Sequence, residues 1–116
     1  MKAEDLMIGD WVVGPSGEPF KIGIIDPDFL HWNEVQPISL TSETLEKNFE
    51  SESNIFGLQT YKLNENFNLE DRGDRFCLVR KCSDYNSSTF WICDLMHLHQ
   101  LQHALKLCGI KKEIGL

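Results

Sequence analysis

The sequence predicts an α+β fold built from short strands and two helices. Three observations indicate it: the first forty residues alternate apolar runs with turn residues, residues 55–94 do the same, and the last part of the chain has apolar residues at helical spacing. The chain has 116 residues, 41% of them apolar and 25% charged, which is enough to bury one core but not two. We therefore expect one domain over residues 1–116.

Residues 1–40 are predicted to form a small, strongly bent β unit. Its expected strands, separated by Gly, Pro, Asp and Asn residues, cover residues 10–13, 19–25, 29–32 and 35–38. Short strands joined by tight turns, opening on Gly-Asp-Trp-Val, are typical of an SH3-like unit. The pattern leaves open whether these strands close into a separate barrel or join the later strands in one sheet.

A short helix is predicted over residues 41–49. Thr41 can cap it, and Leu40 and Leu45 have the spacing of a hydrophobic staple across its first turn. Residues 50–54 are polar, so we expect a connection there.

Residues 55–94 predict a meander of three or four antiparallel strands. A C-terminal amphipathic helix follows over 95–109, because Asp94 can cap its start and Gly109 suits the left-handed conformation that ends a helix. The apolar stripe of this helix consists of Leu98, Leu101, Leu105 and Cys108.

The charge of the chain is unevenly distributed. Residues 1–75 carry six Lys or Arg against fifteen Asp or Glu, a balance of −9, and residues 76–116 carry five against three, a balance of +2, which together give the net charge of −7. An acidic surface repels a phosphate backbone, so nucleic acid is not the expected partner.

The location expected from the sequence is the cytoplasm. The apolar stretches are far shorter than the roughly 20 residues that span a bilayer, and the first residues lack the basic and then apolar profile of a signal peptide. The four cysteines include no C-x-x-C pair, which favours free thiols in a reducing compartment.

The pair His99 and His103 is the one arrangement that suggests a metal. Residues four apart on a helix can hold one ion, but a zinc hydrolase of this pattern needs a glutamate where Gln100 stands, because an amide cannot accept the proton of bound water. A third ligand is also missing downstream. The two histidines fall opposite the leucine stripe, so we expect them on a solvated face, with neither a metal site nor a cofactor.

Trp11 and Trp32 are the candidate partner-binding residues. Together with Phe20 and Phe29 they place four large aromatics in the N-terminal β unit. Such residues either fill the core or form a shallow surface for a partner, and the sequence leaves both interpretations open.

Three segments resemble the uncharacterised small proteins encoded by gut Bacteroidetes and their phages and prophages. They are Ala-Glu-Asp-Leu-Met-Ile-Gly-Asp-Trp-Val at 3–12, Val-Gln-Pro-Ile-Ser-Leu-Thr-Ser-Glu at 35–43 and Leu-His-Gln-Leu-Gln-His-Ala-Leu-Lys-Leu-Cys-Gly at 98–109. Gln36 and Ser39 replace the usual glutamate and proline of that group, and Gln100 replaces a glutamate found in some relatives. The resemblance implies a fold and a phage or prophage source, but no activity.

A non-enzymatic accessory or adaptor domain is the function that these observations favour. It would act through an unidentified protein partner or as a homo-oligomer. The alternative is an SH3-like module associated with nucleic acid. A metal-dependent hydrolase has the least support, because no acid, base and nucleophile converge in the sequence.

Overall fold

The computed structural model describes residues 5–23, 34–54, 57–81 and 89–116, and it places two helices and two antiparallel sheets in them. The predicted α+β class is therefore confirmed. The strands are β1 Trp11–Val13, β2 Pro19–Lys21, β3 Gln36–Pro37, β4 Ser51–Ser53, β5 Gln59–Lys62, β6 Phe67–Asp71, β7 Phe76–Lys81 and β8 Thr89–Leu95. The helices are α1 Ser42–Asn48 and α2 Leu98–Leu107. Within these ranges, neither helix is long and apolar enough to cross a membrane.

The N-terminal sheet has the strand order β2, β1, β3 and is antiparallel throughout. Gly17 closes the turn between β1 and β2 with a φ of 84°, a left-handed conformation that costs glycine little. The predicted hairpin and the strand predicted at 35–38 are present, whereas the one predicted at 29–32 lies outside the described residues. These strands form a sheet of their own, separate from the meander, and an SH3-like barrel stays a prediction.

Helix α1 begins as the sequence predicts. The Oγ1 atom of Thr41 accepts a hydrogen bond from the backbone N–H of Thr44 at 3.3 Å, which satisfies one of the free donors of the first turn. Leu40 and Leu45, on either side of the cap, are both buried in the larger core. The cap and these two leucines fix the direction in which the helix leaves the N-terminal sheet.

The second sheet is a meander of five strands in chain order, β4 to β8. It begins earlier than predicted, because residues 51–53, expected to be a connection, form strand β4 and pair with β5. All three residues of β4 are exposed. An edge strand needs backbone hydrogen bonds on one side only and can expose every side chain, so it leaves no apolar pattern in the sequence.

The start of α2 differs from the prediction. Asp94 lies inside strand β8, and the N-cap residue is His97. The free backbone N–H groups of Met96 and His97 are satisfied by Oε1 of Gln100, at 2.9 and 3.0 Å. The prediction that Asp94 caps the helix is therefore wrong. The reason is that Asp94 pairs with Cys77 of β7 and so extends the sheet by two residues.

The larger core lies between α2 and the five-stranded sheet. Leu98, Leu101 and Leu105 are at most 1% exposed, which confirms the predicted stripe. Gly109 ends the helix with a φ of 72°, and the N–H of Ile110 donates to the carbonyl of Leu105 at 2.8 Å, so the chain folds back as predicted. A second, small core under the N-terminal sheet contains Leu6, Val12, Ile22 and Val35.

Two backbone hydrogen bonds join the segment after β3 to the segment between β8 and α2. Leu40 N–H donates to Met96 O at 2.9 Å, and Leu98 N–H donates to Ile38 O at 2.8 Å. They hold the N-terminal sheet beside the first turns of α2.

Candidate functional site

The histidines of α2 lie against residues 5–10 of the N-terminal segment. His99 is only 8% exposed, and the side chain of His103 is 26% exposed. The prediction that both lie on a solvated face is therefore wrong. Helical spacing shows that they point away from the five-stranded sheet, but not that the N-terminal segment packs on their side.

Asp10 and His103 form a polar contact between residues 93 positions apart in the chain. The Nε2 atom of His103 lies 2.6 Å from Oδ2 of Asp10, which is completely buried. Gln102 holds the chain on both sides of Asp10, because its Oε1 accepts from Trp11 N–H at 2.8 Å and its Nε2 donates to Gly9 O at 2.9 Å. The carboxylate and the imidazole are therefore positioned by the same helix turn.

The imidazole of the N-cap residue His97 and those of His99 and His103 on α2 form a contiguous row. The rings of His97 and His99 stack with centroids 5.8 Å apart, and those of His99 and His103 meet edge to face at 5.6 Å. In the described part of the chain, Nδ1 of His97, Nδ1 of His99 and Oδ1 of Asp10 are buried without a hydrogen-bond partner. Such atoms are rare in folded proteins, and three in one cluster indicate a candidate functional site.

A shallow cavity of about 560 Å³ opens beside this row. Its described lining is Asp5, Leu6, Met7, His99, Gln100 and His103. An aspartate–histidine pair can orient an imidazole as a general base, but none of these lining residues is a serine, cysteine or lysine that such a base would activate. In the described ranges, no group of three or more His, Cys, Asp or Glu side chains could hold a metal ion. The arrangement can bind polar groups and exchange protons, which is less than a complete catalytic site.

Burial lowers the pKa of His99, and the neighbouring His103 and His97 lower it further, against the opposing effect of Asp10 and Asp5. The folded protein therefore resists protonation of His99, whereas the unfolded chain takes up that proton near its ordinary pKa of 6.5. The contribution of His99 to stability is present above that pH and is lost as the pH falls below it. We expect the stability of His99→Leu relative to wild type to rise as the pH falls from 7.5 to about 5.

Urea denaturation at several pH values measures this difference. Leu107→Ala is the control, because Leu107 is 88% exposed on the same helix and its substitution introduces no titrating group. A difference between His99→Leu and wild type that stays constant over the pH range would contradict the expectation.

Trp11, one of the two predicted partner-binding residues, is half-buried. Its ring packs against the larger core, and its Nε1 donates to the carbonyl of Ile114 at 2.9 Å. Trp32, the other one, lies outside the described residues. The role of either as a partner anchor stays a prediction.

The β8 patch, which consists of Trp91, Ile92 and Met96, is an exposed apolar surface that the sequence analysis missed. These side chains are 64%, 44% and 57% exposed. The sequence does contain a signal for this patch, because Phe90, Trp91 and Ile92 are three successive apolar residues in a predicted strand. A strand with only one buried face is expected to alternate apolar and polar residues. One isolated exposed apolar residue needs no explanation, but three large ones between positions 91 and 96 indicate a candidate contact surface.

A β-bulge lies under this patch. Leu78 pairs with Cys93 while Val79 pairs with Trp91, so Ile92 is an extra residue in β8. Bulges interrupt the strict alternation of a strand and change the direction of a side chain, which explains why Trp91 and Ile92 are both exposed.

Asp94 fixes the indole of Trp91. Nε1 of Trp91 donates to Oδ1 of Asp94 at 3.0 Å, and the thiol of Cys77 donates to the same oxygen at 3.2 Å. The hydrogen bond from Trp91 is the main cause that lowers the pKa of Asp94, so this acceptor stays ionised. The ring is exposed, and this hydrogen bond favours one orientation of it, so less side-chain entropy is lost on binding.

The cysteines offer no activated nucleophile in the described chain. Cys77, Cys93 and Cys108 are free, as predicted, and Cys82 lies outside the described residues. Burial raises the pKa of each thiol, which keeps them protonated near neutral pH.

Comparison with protein-family models, with curated proteins and with solved structures finds no match to this chain.

Proposed function

We propose that the protein is a non-enzymatic accessory or adaptor domain that binds an extended segment of a partner protein at strand β8. The observation that carries this proposal is Trp91, which is 64% exposed, fixed by Asp94 and located at a bulge in an edge strand. Aromatic residues that are rigid and exposed in the free protein are frequent energetic centres of protein interfaces.

Strand β8 is suited to pair with another strand. It is seven residues long, and in the described ranges no strand pairs with its outer side. Natural edge strands are commonly protected by lysine, proline or a bulge; residues 89–95 contain neither lysine nor proline, and the bulge at Ile92 is the one such feature in β8. A partner segment added here would gain main-chain hydrogen bonds along the edge and apolar contacts with the β8 patch.

The charge of the chain favours a partner other than a second copy. Two molecules of net charge −7 repel each other, whereas a neutral or basic protein is not repelled by this chain. The same charge disfavours nucleic acid, since a phosphate-binding surface gains its affinity when its lysines and arginines neutralise phosphates and release their condensed counterions. A cytoplasmic location and a phage or prophage origin belong to this proposal.

Trp91→Ala is expected to weaken partner binding about 30-fold or more, which corresponds to the roughly 2 kcal/mol carried by a central aromatic anchor. Immobilised wild type and variant would capture partners from a lysate of the source cells. The captured protein would then be purified, and its affinity for each variant would be measured by calorimetry.

Leu107→Ala is the matched control, because it removes a more exposed leucine from a different element. We expect it to leave the affinity unchanged. A partner that binds wild type and Trp91→Ala equally well would contradict the proposed surface. Sedimentation velocity tests self-association, and a dimer that is lost in Trp91→Ala would replace the separate partner by a second copy.

A further inference from the structure

A small groove separate from the cavity at the imidazole row lies between the second half of α2, the segment 110–114 and residues 8–9. Its volume is about 200 Å³. Its lining includes two buried aliphatic residues, Leu105 and Ile114, and two partly buried residues, Ile110 and the polar Gln102. Typical sites for cofactors or drug-sized ligands occupy about 300 to 1,000 Å³, so this groove fits a smaller group.

Three lysines surround the groove: Lys21, Lys106 and Lys112. Glu113 is the one carboxylate in the described lining, so the local balance is +2 in a chain of net charge −7. The charge of the lining is therefore opposite in sign to the net charge of the chain, which favours an anion here.

The three ammonium groups are held in place by contacts of their own. Nζ of Lys106 donates to the carbonyl of Ile8 at 3.1 Å. Nζ of Lys21 lies 5.4 Å from the ring centre of Trp11, and Nζ of Lys112 lies 5.6 Å from that of Phe49. Cation–π contacts use no N–H donor, and an ammonium group has three, so each lysine keeps donors for a ligand.

We infer that this groove binds the C-terminal carboxylate of a peptide that ends in an aliphatic residue. The aliphatic floor accepts the last side chain, and the lysines bind the carboxylate. This site is distinct from the β8 patch, and the inference does not depend on the function proposed for that patch. A free short-chain carboxylic acid shares the chemistry, so the experiment must separate the two sources.

NMR titration with four probes tests the inference: N-acetyl-glycyl-leucine, its C-terminal amide, hexanoate and inorganic phosphate. We expect the peptide acid to shift resonances of residues 105–114, and we expect the amide to bind about tenfold more weakly or worse, because it loses the charge-assisted hydrogen bonds. Hexanoate is expected to bind more weakly than the peptide acid, since it lacks the peptide group.

The double variant Lys106→Gln/Lys112→Gln is expected to lose about tenfold in affinity for the peptide acid. Lys62→Gln is the control, because Lys62 is an exposed lysine on β5 and is not part of the groove. Any of four results would overturn the inference: equal binding of acid and amide, equal binding of phosphate, a loss with Lys62→Gln as large as with the double variant, or no shift up to about 20 mM peptide. Tighter binding of hexanoate than of the peptide acid would assign the groove to free carboxylic acids.

Discussion

Leu101→Ala is expected to lower the free energy of unfolding by about 2 to 5 kcal/mol. Leu101 is 0% exposed and lies in the larger core between α2 and the five-stranded sheet. Removing most of its side chain deletes buried apolar surface and leaves a cavity between α2 and the sheet. The helix and the sheet can shift only partly to fill this cavity. Because a small domain is stable by only about 5 to 15 kcal/mol, this is a large part of the total.

Urea denaturation of both proteins measures this loss. The matched control is Leu107→Ala, the same substitution on the same helix at a side chain that is 88% exposed, which should change the stability by no more than about 0.5 kcal/mol. A melting temperature for Leu101→Ala within about two degrees of wild type would show that α2 does not close the core.

The helices were predictable because their signals are local. The cap at Thr41 and the turn at Gly109 each depend on a few neighbouring residues. The leucine spacing of α2 likewise shows directly which face is buried. Short-range hydrogen bonds and helical periodicity decide these features, so the sequence contains the necessary information.

The errors come from contacts between distant parts of the chain. Aspartate is a residue type that commonly caps helices, but the pairing of Asp94 with Cys77 extends the sheet. The side chain of Gln100 accepts the hydrogen bond from the free backbone N–H at the start of α2 instead. Strand β4 forms because β5 offers it backbone partners, although residues 51–53 have no apolar pattern. Local preferences are weak compared with a sheet edge that is already in place.

The sequence identified some residues of the candidate site but not the contacts between them. His99 and His103 could be singled out by their spacing, but the N-terminal segment that lies against them is distant in the sequence, with Asp10 93 positions before His103. In the same way, the exposure of Trp91 depends on a bulge against β7, which the composition of β8 does not specify. Sequence spacing identifies residues on one element, whereas a site assembled from two elements requires the fold.

Asp10→Ala is expected to lower the free energy of unfolding by about 3 kcal/mol. The substitution removes a completely buried carboxylate and leaves the imidazole of His103 and the backbone N–H of Met7 without their acceptor. The side chain of His103 is 26% exposed, so water can partly replace the lost partner. The loss in unfolding free energy should therefore lie at the lower end of the range known for buried pairs from which one partner is removed.

A double-mutant cycle with Asp10→Ala, His103→Ala and the double variant separates the pair from the general effects of each substitution. If the 2.6 Å contact stabilises the fold, the two losses are not additive, and the coupling energy from urea denaturation should be about 1 kcal/mol or more. Asp5→Ala is the control, because Asp5 is an exposed carboxylate that lines the same cavity, and it should change stability by less than about 0.5 kcal/mol. Additive losses would show that Asp10 stabilises the fold through Met7 and not through His103, and that Gln102 and Lys106 hold the N-terminal segment against α2 without this pair.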